Sequence, residues 1–305
     1  MLKRLKHNFV GQGFAALFLL LAISGQPAAQ QMPYGQGILW KIQAPSGSGG
    51  GFLFGTLHST DPVVTTLPGP VKQTFARARS LTVEVVMTKD MPVRMARRMM
   101  LQPPQSLDRI AGAELFARLA SVGQRMGFPL QTLRRLKPWA ASAAISIPPG
   151  ERAGQAAGLL PLDQVLQHAA TQRGIPVHGL ESVDEQLDLI DGLPPVDQIK
   201  LLRQAIDDSG QIAKFVAIMK KFYLARDLNG LFAWMRRQAA GEDPRLAQIF
   251  QDRMINARNR IMATRMVARL NKGGAFVAVG AAHLPGRKGV LSLLAQRGYR
   301  LSRIY

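Results

Sequence analysis

Short β-rich runs near both ends of the chain enclose a long middle with helical spacing. The runs near the N-terminus flank a Gly/Ser-rich stretch, which predicts a β-hairpin. Helical segments at 71–79 and 289–297 separate later runs, so strand-helix-strand units with parallel strands are expected at both ends. The predicted strands are 38–42, 52–55, 80–86, 274–280 and 299–304, with a turn and strand within 174–181.

The middle of the chain has apolar residues at the three-four spacing of helices. This pattern covers residues 88–160 and 195–271. The sequence therefore predicts an α/β fold with a mixed, largely parallel sheet built from both termini and a large helical middle. Because no internal linker separates these parts, residues 31–305 are expected to form a single domain.

Residues 1–30 have the pattern of a secretory signal peptide. Lys3, Arg4 and Lys6 precede a short apolar run, and small residues follow it. The alternative is an uncleaved N-terminal anchor, although the apolar run is short for a membrane span. No other run is long enough to span, so we expect a periplasmic or secreted protein without a transmembrane segment after cleavage.

Composition excludes some kinds of chemistry and leaves others open. The chain has no cysteine, which rules out a cysteine nucleophile, a thiolate metal site and disulfides. Its net charge of +20 would attract polyanions such as acidic envelope polysaccharide, or would simply aid solubility. No nucleic-acid-binding motif accompanies this charge, so no nucleic acid partner is expected.

Two motifs of the form G-x-x-H follow predicted strands at opposite ends of the chain. They are Gly55-Thr56-Leu57-His58 and Gly280-Ala281-Ala282-His283, and they contain two of the five histidines. Ligands of open α/β sheets bind where parallel strands end. A lone histidine in such a place is commonly a capped or surface residue, but the repeated context favours a shared site.

Acidic residues near other strand ends could complete this site. Glu84 lies in the run 80–86, where it is either an outward-facing charge or a paired, buried group. The order of the strands along the chain predicts that Glu84 and His58 lie on neighbouring parallel strands. Together the two histidines and Glu84 form a set with open positions, suited to a divalent metal. Glu181 ends another strand and could be a further ligand, a general base or a supporting partner. Asp163 begins a helix and is expected to cap it or to interact with its dipole.

Several of these segments together resemble the TraB/PrgY/GumN family. The resemblance rests on Leu39-Trp40-Lys41-Ile42, the two G-x-x-H motifs, Val83-Glu84, Gly179-Leu180-Glu181, Arg258-Asn259 and Leu284-Pro285-Gly286. It covers residues 36–304 and implies a fold similar to the erythromycin esterase and ChaN-like folds. Because the related Tiki proteins are metal-dependent proteases, it also implies His58, Glu84 and His283 as metal ligands.

The resemblance gives supporting roles to Glu181, Arg258 and Asn259. From helical spacing alone, Arg258 belongs to a solvated arginine-rich face; the resemblance instead points it and Asn259 towards the site. The sequence thus predicts an exported hydrolase for peptides or proteins with a divalent metal such as Mn, Co or Zn. The alternative is a non-catalytic module that binds anionic polysaccharide or an envelope partner.

Overall fold

The β-rich runs at the two ends of the chain form one six-stranded sheet in the computed structural model, which describes residues 31–239 and 243–305. The strand order is β4-β3-β5-β2-β1-β6. Strands β4, β3, β5 and β2 are mutually parallel, whereas β1 is antiparallel to both of its neighbours. The strands are β1 Leu39–Gln43, β2 Gly51–Thr56, β3 Ser80–Val83, β4 Val177–Gly179, β5 Ala275–Gly280 and β6 Arg300–Arg303.

Sixteen α-helices connect and flank these strands among the described residues. A π-helical turn, Gln251–Ala257, joins α14 to α15 without a break. Short 3₁₀ turns occupy Asp208–Gly210 and Ala281–His283. The α-helices are α1 Pro62–Thr65, α2 Gly69–Ala76, α3 Met91–Met99, α4 Leu107–Ala111, α5 Ala113–Arg125, α6 Leu130–Arg135, α7 Pro138–Ile145, α8 Pro149–Ala156, α9 Leu162–Gln172, α10 Val183–Asp191, α11 Pro195–Asp207, α12 Ile212–Leu224, α13 Leu228–Gln238, α14 Pro244–Phe250, α15 Arg258–Lys272 and α16 Val290–Gln296.

The described residues fall into two compact units. The sheet unit comprises residues 31–87, Gly158–Ser182 and Ala217–Tyr305, and the helical unit comprises Thr88–Ala157 and Val183–Val216. This is a division by compactness, so the expectation of one domain over 31–305 stays a prediction. The expected signal peptide, residues 1–30, lies outside the described residues.

The core of the sheet unit lies around β5. Residues Phe276 to Val279 are fully buried, as is typical of a parallel strand covered on both faces. The Phe276 ring packs against Phe54 and Phe75, with ring centroids 6.0 and 5.1 Å apart. This strand therefore provides a rigid base for the residues that follow it.

The helical unit has its own core around α7, in which every residue is buried. Its alanines allow close approach, and α7 packs against α11. Trp139, fully buried, donates its indole N–H to Asp191 at 2.8 Å. A buried indole N–H group needs a hydrogen-bond partner, and Asp191 provides it here.

The observed fold confirms the α/β class, with a mixed sheet from both termini and a helical middle. The N-terminal hairpin is present as β1 and β2. The expected parallel pairing within each strand-helix-strand unit is wrong, because β2 and β3 each pair in parallel with β5, and β6 pairs with β1. Among the described residues, no helix has both the length and the apolar character required to cross a membrane.

Candidate functional site at the carboxyl ends of the parallel strands

The two G-x-x-H motifs leave the sheet side by side. Strands β2 and β5 are parallel neighbours, and their register pairs Thr56 with Gly280 at their last residues. The glycine that begins each motif lies at the end of its strand: Gly55 is the next-to-last residue of β2, and Gly280 is the last residue of β5. His58 and His283 therefore follow adjacent strand ends at one edge of the sheet.

Glu84 comes directly after β3 at the same edge, but β3 is not next to β2. Strand β5 lies between them, so the expectation that Glu84 and His58 lie on neighbouring strands is wrong. The strand that separates them comes from the other end of the chain, and local patterns do not reveal such an insertion. Its effect is to bring Glu84 next to His283.

Glu181 reaches this edge through the last parallel strand, β4. The backbone N–H of Leu180 donates to the Val83 carbonyl at 2.9 Å, and that of Glu181 donates to the Glu84 carbonyl at 2.8 Å. These bonds continue the β3–β4 pairing beyond the strands. The two glutamates predicted from the sequence are thus brought together.

His283 is held in one tautomer by Asn259. The Asn259 amide donates from Nδ2 to the Lys288 carbonyl at 2.9 Å, which leaves its Oδ1 facing His283 Nδ1 at 2.6 Å. Because an amide oxygen only accepts, Nδ1 carries the proton and Nε2 presents a lone pair. Burial, reinforced by the charge of Arg258 and opposed by Glu84, lowers the pKa of His283 to about 4. The imidazole is therefore neutral at pH 7.

Glu84 is an ionised carboxylate at the centre of the site. Its Oε1 accepts the Gly280 N–H at 2.6 Å and lies 3.8 Å from His283 Nε2, while Oε2 accepts from Arg258 Nη2 at 2.5 Å. Burial opposes ionisation, but Arg258, His283 and the Gly280 N–H outweigh it and lower the pKa of Glu84 to about 2. A Cβ at Gly280 would lie 3.3 Å from Oε1, so glycine permits this approach.

Arg258 joins the two glutamates in the interior. Its Nη2 donates to Glu181 at 2.8 Å as well as to Glu84, and its Nε donates to both Glu181 oxygens. The Arg258 and Glu181 side chains are 4% and 2% exposed. Burial opposes the charge of Arg258, but the two carboxylates raise its pKa. Charges this deeply buried persist because they are paired and hydrogen-bonded.

The burial of Arg258 and Asn259 resolves the alternative that helical spacing left open. Arg253 and Arg260 are exposed on the same stretch, as the solvated-face interpretation expects. The apolar residues Met262, Met266 and Leu270 follow Arg258 at steps of four and are fully buried, so Arg258 lies on the buried face of α15. The helical spacing of these residues contained the signal, which the charge of Arg258 concealed.

His58 belongs to a second polar group, with Asp163. Its Nδ1 lies 3.2 Å from Asp163 Oδ2, and Asp163 Oδ1 accepts from Thr56 Oγ1 at 2.7 Å. Of the two expectations for Asp163, the helix cap is wrong, because the N-cap of α9 is Pro161 and no side chain caps it; its place in the first turn agrees with the other, an interaction with the helix dipole. Instead, the carboxylate in the first turn of α9 contacts the histidine. Asp163 and His58 are 105 residues apart, so no local pattern links them.

Helix α12 holds the loop that contains His58, which sequence reasoning missed. The Tyr223 hydroxyl donates to the Gly55 carbonyl at 3.0 Å, and Lys220 donates to Asp61 at 2.6 Å. Asp61 also caps α1 by accepting from the Val63 N–H at 3.0 Å. The first motif is therefore fixed on both sides of its histidine.

The imidazole and carboxylate groups at this edge are suitable ligands for a divalent metal, although they are not yet arranged around one position. Each motif histidine has Nδ1 engaged by an acceptor side chain, which is the outer support typical of metal-binding histidines. The Nε2 atom of His58 is buried and has no hydrogen-bond partner among the described residues. In residues 31–239 and 243–305, however, no group of three or more His, Asp and Glu side chains is already arranged to hold a metal ion.

These features define an α/β protein with two supported histidines and a Glu-Arg-Glu network, buried at Arg258 and Glu181 and partly exposed at Glu84, where parallel strands end. A model of the TraB/PrgY/gumN family matches residues 38–303, nearly the whole chain, and the protein therefore belongs to this family. Comparison with curated proteins and with solved structures gave no match.

Proposed function

We propose that this protein is an exported metal-dependent hydrolase that cleaves peptides. One observation carries the proposal: both motif histidines have Nδ1 engaged by a fixed side chain, so that each presents Nε2 as a lone pair. A histidine that only stabilises a fold is expected to have its buried nitrogens hydrogen-bonded, whereas His58 Nε2 is buried without a hydrogen-bond partner among the described residues. Membership in the TraB/PrgY/gumN family supports the same site.

In this proposal, His58, His283 and Glu84 hold a divalent ion such as Mn, Co or Zn. When bound, such an ion polarises a carbonyl group and lowers the pKa of a bound water towards about 7. The ionised state of Glu84 suits a ligand, since its pKa is about 2. His58 would have to approach the other two, which is consistent with its partly exposed position.

The remaining polar residues have supporting roles in this scheme. Asn259 orients His283, and Arg258 fixes Glu84 while balancing its charge. Glu181 was expected as a general base, but its carboxylate is engaged by Arg258 at both oxygens. We therefore assign Glu181 to holding Arg258, and a role as base would require it to release that side chain.

The proposed export rests on the N-terminal sequence. A basic start, a short apolar run and small residues before Gln31 motivate cleavage between Ala28 and Gln31. Mass spectrometry of the protein from a periplasmic extract should show a new N-terminus there. Recovery of the full-length chain from the membrane fraction alone would contradict cleavage and favour the uncleaved N-terminal anchor.

Metal analysis of the purified mature protein is the decisive test of the hydrolase. We expect about one divalent ion per chain by elemental mass spectrometry, and cleavage of a peptide library that a chelator abolishes. His58→Ala and His283→Ala should each lose the ion and the cleavage. His168→Ala, which removes an exposed histidine on α9, is the matched control and should retain both.

The net charge of +20 favours a second candidate, a non-catalytic module for anionic polysaccharide. Its signature is a wild-type protein without metal that binds acidic polysaccharide and releases it as salt is added.

The assignment of His58 and His283 as ligands has its own contrary result. Full metal content and full cleavage in both His58→Ala and His283→Ala would refute it.

A further inference from the structure

The surroundings of His58 assign a task to Asp163. We propose that Asp163 is a positioning residue, which holds His58 as the Nδ1–H tautomer and thereby presents Nε2 to a divalent ion. The inference rests on the proposed function for the identity of the ligand. The part that concerns the tautomer rests on the geometry alone.

Asp163 is itself fixed before it meets the histidine. Its Oδ1 accepts the Thr56 hydroxyl at 2.7 Å, from the last residue of β2. The start of α9 is tied to the motif loop, because the Leu162 N–H donates to the Ser59 carbonyl at 3.2 Å. The second oxygen, Oδ2, is therefore directed at His58 Nδ1, 3.2 Å away.

The chemistry of this contact selects one tautomer. An ionised carboxylate only accepts hydrogen bonds, so the proton of a neutral His58 lies on Nδ1. Nε2 is then an acceptor, and that atom is buried without a hydrogen-bond partner among the described residues. A buried acceptor without a partner is unfavourable, and a bound cation would remove that cost.

A purely stabilising ion pair does not account for this arrangement. The His58 and Asp163 side chains are 23% and 27% exposed, and ion pairs with such solvent access contribute little to stability. The contact does fix the ring, because Thr56 and α9 restrain the carboxylate from two directions. Outer partners of this kind raise metal affinity by about 10–100-fold.

The test compares three variants of the full mature chain with one matched control. Asp163→Ala removes both contacts, Asp163→Asn keeps an amide oxygen that can accept from Nδ1, and Thr56→Val removes the hydroxyl that restrains the carboxylate. Asp184→Ala is the control, since Asp184 is an aspartate that pairs with Arg94 and Arg98 instead of a histidine. Circular dichroism melts confirm folding of each protein.

Two readouts separate positioning from stability. ¹⁵N-histidine NMR of the metal-free protein, assigned with His58→Gln, reports the tautomer of His58. Titration with Zn²⁺ or Mn²⁺ against a chelator reports affinity. In the wild type we expect the Nδ1–H tautomer. Asp163→Ala should lose this tautomer and bind the metal about 10–100-fold more weakly. Thr56→Val should lose less metal affinity than Asp163→Ala, and Asp163→Asn should keep part of both the tautomer and the affinity. Asp184→Ala should match the wild type.

The outcomes distinguish this inference from the proposed function. An unchanged His58 tautomer in Asp163→Ala would overturn the positioning role, whatever the metal affinity. Unchanged metal affinity in a folded Asp163→Ala variant would refute the claim that Asp163 prepares His58 for a metal ion. If the wild type binds neither ion, the metal-dependent function fails, and the NMR comparison still decides whether Asp163 sets the tautomer.

Discussion

The two G-x-x-H loops have the same residue spacing and follow neighbouring parallel strands, yet their histidines lie in different surroundings. His283 is 5% exposed and meets the neutral amide of Asn259. The His58 side chain is 23% exposed and meets the carboxylate of Asp163. His283 also lies beside Glu84, which Arg258 joins to Glu181, whereas His58 pairs with the carboxylate of Asp163.

The difference arises from strand position and from distant helices. His283 follows β5, which lies between the parallel strands β3 and β2, and it meets Glu84 after β3 and Asn259 on α15. His58 follows β2, whose other neighbour is the antiparallel β1. The motif thus determines where each histidine leaves the sheet, and α15 or α9 determines what each one contacts. Four predictions test this division.

The largest effect is expected from the ionic network beside His283. Arg258→Met leaves Glu84 and Glu181 without their shared partner in the interior, and the loss of one member of a buried pair costs about 3–5 kcal/mol. Urea unfolding should show this decrease in the free energy of unfolding. On the His58 side, Asp163→Ala removes a partly exposed pair and should cost at most about 1 kcal/mol.

Arg260→Met provides the matched control for that experiment. Arg260 is exposed on the same helix, α15, and surface substitutions change stability by about 0.5 kcal/mol or less. If Arg258→Met were as stable as Arg260→Met, the two loops would not differ in the way the structure indicates.

The sequence predicted the strand ends better than the contacts made there. Gly, His and β-rich runs are local features, so they located His58 and His283 at one edge of a mixed sheet. The insertion of β5 between β3 and β2 depends on long-range pairing, and it changed the neighbour of Glu84 from His58 to His283. The inward orientation of Arg258 was within reach of helical periodicity, because Met262 and Met266 follow it at steps of four on the buried face of α15; its charge favoured the solvated interpretation instead.

The next effect concerns the packing of one loop against the other. A Cβ at Gly55 would lie 2.7 Å from Leu284 Cδ1 and 3.0 Å from Ala281 Cα. Gly55→Ala should therefore push the second loop away and cost about 1–3 kcal/mol, as overpacking does. Thermal and urea unfolding measure the cost, and metal titration should show weaker binding because the histidines separate.

Gly69→Ala is the matched control for the packing experiment. No atom lies within 4 Å of a Cβ at Gly69, in the first turn of α2. Alanine is also the better helix former, so this variant should be at least as stable as the wild type. Equal stability of Gly55→Ala would mean that the loops do not need their close contact.

Acid should weaken the fold through His283. The folded-state pKa of His283 is lowered from 6.5 to about 4, mainly by burial; the charge of Arg258 adds to this shift, and that of Glu84 partly opposes it. Between pH 4 and 6.5 the His283 ring is protonated in the unfolded chain but neutral in the folded protein. The stability present above pH 6.5 is therefore lost as the pH falls towards 4. In metal-free protein this contributes a slope of about 1.4 kcal/mol per pH unit.

The acid effect is measured by urea unfolding at several pH values between 4.5 and 7. His283→Gln keeps an amide near Asn259 but cannot take up the proton, so its curve should be flatter than that of the wild type across this range. His168→Gln, at an exposed position of α9, is the control and should follow the wild type. Parallel curves for all three proteins would show that His283 is not buried as a neutral ring.

The smallest effect is expected from the clamp on the His58 loop. Tyr223 is 4% exposed, and its hydroxyl donates to the Gly55 carbonyl at 3.0 Å. Tyr223→Phe removes this bond while keeping the ring, so it should cost about 1 kcal/mol. Tyr299→Phe is the matched control, since the Tyr299 hydroxyl donates to Asn271 at 2.7 Å and not to either loop. Both variants should lose similar stability in urea unfolding, but Tyr223→Phe alone should also weaken metal binding, because Gly55 begins the motif that positions His58. Equal metal affinity in the two variants would mean that the loop keeps its place without the Tyr223 bond, through Lys220 on one side of His58 and Asp163 on the other.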